Sequence, residues 1–143
     1  MAQAITNKAK QSIMAAYLAS GVDLRMGLLK TLAGVTNVPD INFIADMESH
    51  ADFAEVTASG YARVALTGEA STEDDANDRA NVDADNVAFA AIAAGETIVG
   101  VFIFEHTGSD ATAKVVGIYD ISPTIPTNGG PVTINVADFL RAV

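Results

Sequence analysis

Residues 97–104, Thr-Ile-Val-Gly-Val-Phe-Ile-Phe, decide the fold. Apart from Thr97, both alternating faces of this run are apolar, the pattern of a central strand covered on both sides. Downstream, Lys114–Ile121 sets Val115, Gly117, Tyr119 and Ile121 opposite Val116, Ile118 and Asp120. The polar segment Glu105-His106-Thr107-Gly108-Ser109-Asp110 lies between them, so the two runs predict an antiparallel hairpin with a longer loop. Further strand candidates flank this pair at Tyr61–Leu66, Val82–Ala90 and Val132–Val136, separated by acidic, Gly-rich or Pro-rich stretches such as Ser122–Pro131. In the first, Tyr61, Arg63 and Ala65 alternate with Ala62, Val64 and Leu66, which turns Tyr61 and Arg63 outward. In Val82–Ala90 neither face is cleanly polar, and a change of register near Asn86, or burial on both sides beyond it, accounts for that. No helical period follows residue 60, which excludes a βαβ architecture. The expectation is a mainly β chain, an antiparallel β-sandwich or partly closed barrel with an N-terminal helix packed on it.

Before residue 60 the period is helical. Ile5, Ala9, Ile13, Ala16, Tyr17 and Ala19–Ser20 recur at three to four positions and predict a helix from about Asn7 to Leu18 with an apolar stripe. Thr6 or Asn7 supplies the N-cap and Gly21 the C-terminal exit. Two targets remain open for the stripe, a face of the chain's own sheet and a neighbouring subunit. The segment Asp23–Leu32 reads as a short helix or as a strand. Pro39 forces a turn or an extended backbone across Asn37-Val38-Pro39-Asp40. Residues 41–59 predict one or two helical turns, with Asp52–Ser59 as an exposed loop.

A chain of 143 residues and 14.8 kDa suits one domain, 1–143, with residues 1–20 as an N-terminal arm and helix. Cysteine and tryptophan are absent, so neither a disulfide framework nor thiolate chemistry is available. Eighteen acids against eight bases give a net charge of -10. A field of that sign repels phosphate backbones, which argues against direct nucleic-acid binding; it is compatible with docking on a basic protein surface and equally serves solubility. Gln11 and Ser12 interrupt any signal-peptide core, and the longest apolar run, Ile98–Phe104, is strand-sized. No membrane association is expected.

Several side chains are candidates for function. The connector from Glu69 to Asp85 holds seven acids and Arg79 as its one base. Its carboxylates are of the type that calcium takes, yet the spacing lacks the central Gly and closing Glu of an EF-hand. It reads as a solvated loop or subunit contact in which Arg79 pairs with a carboxylate, and no metal or cofactor is assigned. His50 and His106 have no third metal ligand and no nucleophile motif beside them. Carboxylates without aromatic sugar platforms do not suggest glycoside chemistry. No catalytic residue is assigned. Thr127-Asn128-Gly129-Gly130 lacks the Lys and helix of a phosphate loop, leaving a turn in which exposed Asn128 is a candidate partner contact. Tyr61 and Arg63 combine an aromatic anchor with a charged fork, residue types that concentrate interface energy. Their alternative is cross-strand packing with a local Asp salt bridge. Lys8, Lys10, Ile13 and Tyr17 on the helix complete the candidate partner-binding set.

The runs Gly60-Tyr61-Ala62-Arg63-Val64-Ala65-Leu66, Asp74-Asp75-Ala76-Asn77-Asp78-Arg79-Ala80 and Asp83-Ala84-Asp85-Asn86-Val87 resemble a class of small tailed-bacteriophage virion proteins. So do Asn7-Lys8-Ala9-Lys10, Ile103-Phe104-Glu105-His106-Thr107-Gly108 and Pro126-Thr127-Asn128-Gly129-Gly130. The resemblance implies a β-rich particle component that decorates or cements the capsid, with the major capsid protein and copies of itself as partners. It places the chain on the outer capsid surface of a virion assembled in the host cytoplasm. Phe89 and Phe104 stand where Trp or Tyr is common in that class. A head–tail or tail-associated subunit, or a receptor- or carbohydrate-binding virion module, is the alternative expectation.

Overall fold

The computed structural model of the chain describes residues 5–33 and 40–143. In chain order the elements are helix α1 (Asn7–Ala19), strand β1 (Leu24–Leu32), helix α2 (Ile44–Ser49), and strands β2 (Phe53–Glu55), β3 (Val64–Ala65), β4 (Ala70–Asp74), β5 (Arg79–Asp83), β6 (Val87–Phe89), β7 (Thr97–Glu105), β8 (Val115–Pro126), β9 (Val132–Ile134) and β10 (Leu140–Ala142). The architecture is mainly β with antiparallel sheets and an N-terminal helix, as the sequence predicts. The turn expected at Asn37-Val38-Pro39 lies outside the described residues. Among the described residues no helix is long and apolar enough to cross a membrane.

Two compact units divide the chain. The larger comprises Asp23–Ala65 and Val87–Ile134. Its main sheet runs β2-β1-β7-β8, with β3 also paired to β1. As expected, β7 is central, pairing with β1 from Leu24↔Glu105 to Leu29↔Gly100 and with β8 on its other edge. Phe102, Ile103 and Phe104 are buried on its two faces. The ambiguous segment Asp23–Leu32 is a strand because it too is covered on both sides: Leu24, Met26 and Leu28 are buried on one face, Leu29 on the other. Tertiary packing overrides the weak strand preference of its Leu, Met and Gly residues.

Gly27 lies opposite Phe102, and a Cβ there would stand 2.2 Å from the ring's Cζ, so glycine makes the space that the ring fills. Phe102, Phe104, Leu29, Phe53 and Ile118 form one buried cluster with Ile44 and Met47 of α2. Asp46 caps α2 by accepting the Phe43 N–H at 2.9 Å.

Among the described residues the two edges of the main sheet do not pair with each other, so no barrel closes. The last strand, β8, runs beyond the expected Ile121 as far as Pro126. Its pairing jumps from Gly100↔Asp120 to Ile98↔Ile125, so extra residues of β8 bulge out of the ladder. The opposite edge is an interrupted strand. Both β2 and β3 lie antiparallel to β1, at Leu29–Leu32 and at Arg25–Met26 respectively. The strand expected over Tyr61–Leu66 is therefore shortened to Val64–Ala65. Tyr61 instead sits in a turn whose N–H bonds to the Ala58 carbonyl. The exposed loop expected at Asp52–Ser59 is also corrected, since Phe53 is buried and Phe53–Glu55 is paired. A two-stranded sheet of β6 and β9 completes this unit, its Val87, Phe89, Val132 and Ile134 buried. The final strand candidate thus stops at Ile134 rather than Val136.

The smaller unit joins the N-terminal residues through Val22 to Leu66–Asn86 and Asn135–Val143. A sheet ordered β10-β5-β4 carries α1. Here the acidic connector is an ordered β-hairpin rather than a solvated loop: β4 and β5 pair from Ala70↔Asp83 to Asp74↔Arg79 around a 3-10 turn at Asp75–Asn77. The Asp74 carboxylate holds that turn, accepting Asn77 Nδ2 at 2.9 Å and Arg79 Nε at 2.7 Å. Asp78 adopts the left-handed φ of 53° that lets the chain reverse. The strand expected over Val82–Ala90 is split between β5 and β6. The break falls where polar atoms bind the backbone: Asp83 Oδ1 accepts the Ala84 N–H, the Asp85 N–H bonds to Thr67 O, and Asn86 Oδ1 accepts the Val136 N–H.

Candidate functional site

The helical candidates belong to the smaller unit. Thr6 is the N-cap of α1, its hydroxyl accepting the Ala9 N–H at 3.3 Å. Three polar contacts then clamp the first turns to the β4–β5 hairpin. Asn7 Nδ2 donates to Asp75 Oδ1 at 3.0 Å, Lys8 Nζ lies 2.9 Å from Glu73, and Lys10 Nζ donates to the Asp78 carbonyl at 2.6 Å. One turn further, Gln11 Nε2 donates to Ser71 O while Ser71 Oγ donates to Gln11 O. Met14 is the buried apolar residue of the helix.

This arrangement corrects the predicted stripe. The face turned toward the sheet is Lys10, Gln11, Met14 and Leu18, whereas Ile13 is 65% exposed and Ile5 58%. Tyr17 is half-buried near the edge of the packed face. An open groove at the base of α1 is lined by Ile5, Thr6, Lys10, Asp75, Asp78 and Val143. Lys8 and Lys10 thus lie together, and Ile13 points to the other side of the helix.

In the larger unit, Tyr61 and Arg63 converge on Glu55. Arg63 donates to both carboxylate oxygens, Nε at 2.8 Å and Nη2 at 2.6 Å. Its remaining N–H groups reach Asp110 and, at 3.1 Å, Glu48. The guanidinium also lies 5.5 Å and 5.3 Å from the ring centroids of Phe102 and Phe104. Bidentate bonding to Glu55 raises the Arg63 pKa further above its ordinary value. Glu48, partly desolvated and close to Asp110, is pushed up from the usual carboxylate range.

Tyr61 fills the gap in the interrupted edge strand. Its hydroxyl accepts the Leu28 N–H at 2.9 Å and donates to Glu55, while Val56 N–H bonds to Leu28 O. The phenol oxygen thereby replaces the backbone carbonyl that a continuous strand would have offered. Burial, followed by the Glu55 charge, raises the Tyr61 pKa. Phe89 stacks on the ring at 6.1 Å. Arg63 thus bonds within its own unit, to Glu55 as the bidentate partner and to Asp110 as the expected aspartate.

A second carboxylate lock, missed in the sequence, is Glu96. It accepts Lys30 Nζ at 2.6 Å, the Thr57 N–H at 2.9 Å and the Ala58 N–H at 3.0 Å. The lysine bond, with help from these amides, lowers its pKa from 4.5 to about 2. Beside it, buried Thr127 exchanges backbone and hydroxyl bonds with Glu96. Asn128 follows in the turn, where its Oδ1 accepts the Gly130 N–H at 2.9 Å. Only distance in sequence concealed the Lys30–Glu96–Thr127 set.

His50 lies 3.6 Å from Asp52, and His106 packs edge-on against Phe104. Among the described residues no group of three or more His, Asp or Glu is arranged to hold a metal ion. No family model, curated protein or solved structure matches the chain.

Proposed function

We propose that this chain is a non-enzymatic virion structural protein that decorates a phage capsid from the outside and cements it by bridging capsomers. The observation that carries the reading is the work done by the residues of the phage-like runs. Tyr61 and Arg63 lock an interrupted sheet edge onto Glu55, and Asp74 with Arg79 shapes the hairpin. Residues of the types that would anchor a substrate are engaged in the scaffold, which is what a rigid accessory component requires.

The net charge of -10 supplies the recognition chemistry. A basic shell attracts such a domain and orients it, and repeated modest contacts over a symmetric lattice sum to stable attachment. Attachment of this type weakens as salt screens the opposing fields. Copies of the chain and the major capsid protein are the partners.

Reconstruction of particles carrying the chain tests the reading. Copies distributed over the icosahedral lattice, with occupancy that falls as salt is raised, are the expected result. Copies confined to one ring at a vertex would instead identify a head–tail subunit, and absence from particles would reject a virion role altogether.

A further inference from the structure

Strand β10 is only lightly held to the smaller unit. It is three residues long and meets β5 at Leu140↔Val82, Arg141↔Asn81 and Ala142↔Ala80, with buried Phe139 before it as the apolar anchor. The chain enters it through Asp138, whose φ of 49° is left-handed, a conformation that costs energy in any residue with a Cβ. The ion pairs at this bend are long, since Asp138 Oδ2 lies 3.9 Å from Nη2 of both Arg79 and Arg141. Part-exposed pairs at that distance contribute little. Asn81 is buried opposite the middle of β10, and its Oδ1 has no hydrogen-bond donor among the described residues. Arg141 is its cross-strand neighbour, so lifting β10 away admits water to an oxygen that is unsatisfied while the strand is docked.

Upstream the backbone is fixed again, because the Val136 N–H bonds to Asn86 Oδ1. Exposed Ala137 and Asp138 are therefore the hinge. A short strained hinge before an edge strand is the arrangement that strand exchange relieves. When Asp138 becomes extended it leaves the left-handed region, and residues 139–143 swing away from their own sheet. The edge that receives them is already defined, because each pairing β10 makes at home is offered by a second copy that has released its own β10. Charge favours the transfer. Residues 139–143 carry Arg141 and no acidic side chain, while residues 70–83 of the receiving hairpin carry five acids against Arg79.

We propose that two copies of the chain trade β10, each pairing its Leu140–Ala142 with β5 of the other about the hinge at Asp138. The proposal rests on the preceding reading only in that copies of the chain meet. Purified protein without capsids tests it, so its failure leaves capsid attachment standing, and absence of the chain from particles leaves the exchange standing. The docked strand competes at an effective concentration of about a millimolar, so exchange is expected as free copies approach that concentration.

Incubation near that concentration, followed by size exclusion, should give dimers that form slowly and separate slowly on dilution, because a strand must open before it is traded. The chain has no cysteine, so Asn81→Cys and Arg141→Cys report on this register when each is made alone. Oxidation of an incubated mixture should link one variant to the other well above the level that either gives by itself. The hinge supplies a second readout with opposite signs. Asp138→Gly, which takes a left-handed φ freely, should lower the dimerisation constant about tenfold, and Asp138→Val, which resists it, should raise the constant by a similar factor. A monomer at every concentration, dimers that leave Asn81→Cys and Arg141→Cys chains unlinked, or hinge variants that shift the equilibrium in the same direction would overturn the proposal.

Discussion

Arg63 is the residue on which most charge depends, one guanidinium serving Glu55, Asp110 and Glu48 above two phenylalanine rings. Removing it strands the half-buried Glu55 carboxylate, and breaking such a pair costs about 3 kcal/mol. Arg63→Ala should therefore lower stability by about that amount in denaturant titration, and Arg63→Lys should recover only part of it, since lysine cannot span two carboxylate oxygens and lie flat on the rings. Glu96 gives a prediction with a pH signature. Its folded pKa, about 2 against an ordinary 4.5, is depressed, so the carboxylate contributes stability that is present above 4.5 and is lost as pH falls toward 2. Glu96→Gln should cost about 1–2 kcal/mol at pH 7, after allowance for solvent screening. The gap between variant and parent should close below pH 4.5. A gap unchanged at pH 3 would assign the effect to packing rather than charge.

At the scale of elements, the central place of β7 was legible because its run is apolar on both faces, and Gly100–Phe104 are buried without a break. The existence of α1 was legible from its helical period, but its orientation was not. Period predicts which residues share a face, and the face with Ile13 is the more apolar one; Gln11 and Lys10 outbid it by bonding to Ser71 and Asp78. The β4–β5 hairpin was concealed by its acids, which look solvated until Asn77 and Arg79 are brought against Asp74. β1 was ambiguous because Leu, Met and Gly favour neither state strongly, and its partner lies some seventy residues away. Gly27 decides how that strand packs. Gly27→Ala should shift the Phe102 ring and destabilise the sheet by about 2 kcal/mol, with altered ring resonances in NMR spectra, because overpacking a closed core forces strain. Unshifted Phe102 resonances would show that the core has slack at this point.

Across the whole molecule, the smaller unit is assembled from three separated stretches, and its sheet takes its third strand from Leu140–Ala142. The larger unit is complete at Ile134. Deleting residues 140–143 should therefore speed amide hydrogen exchange in β5, where Val82 and Ala80 pair with Leu140 and Ala142, while β1 and β7 keep their protection. Equal loss of protection in β7 would mean that the two units unfold as one. The same wiring sets an order of events on the ribosome. While the chain is being made, the hairpin of β4 and β5 waits outside the tunnel with the β5 edge unsatisfied until Leu140–Ala142 emerge, so that strand edge is open in the interval to pairing with a neighbouring nascent chain.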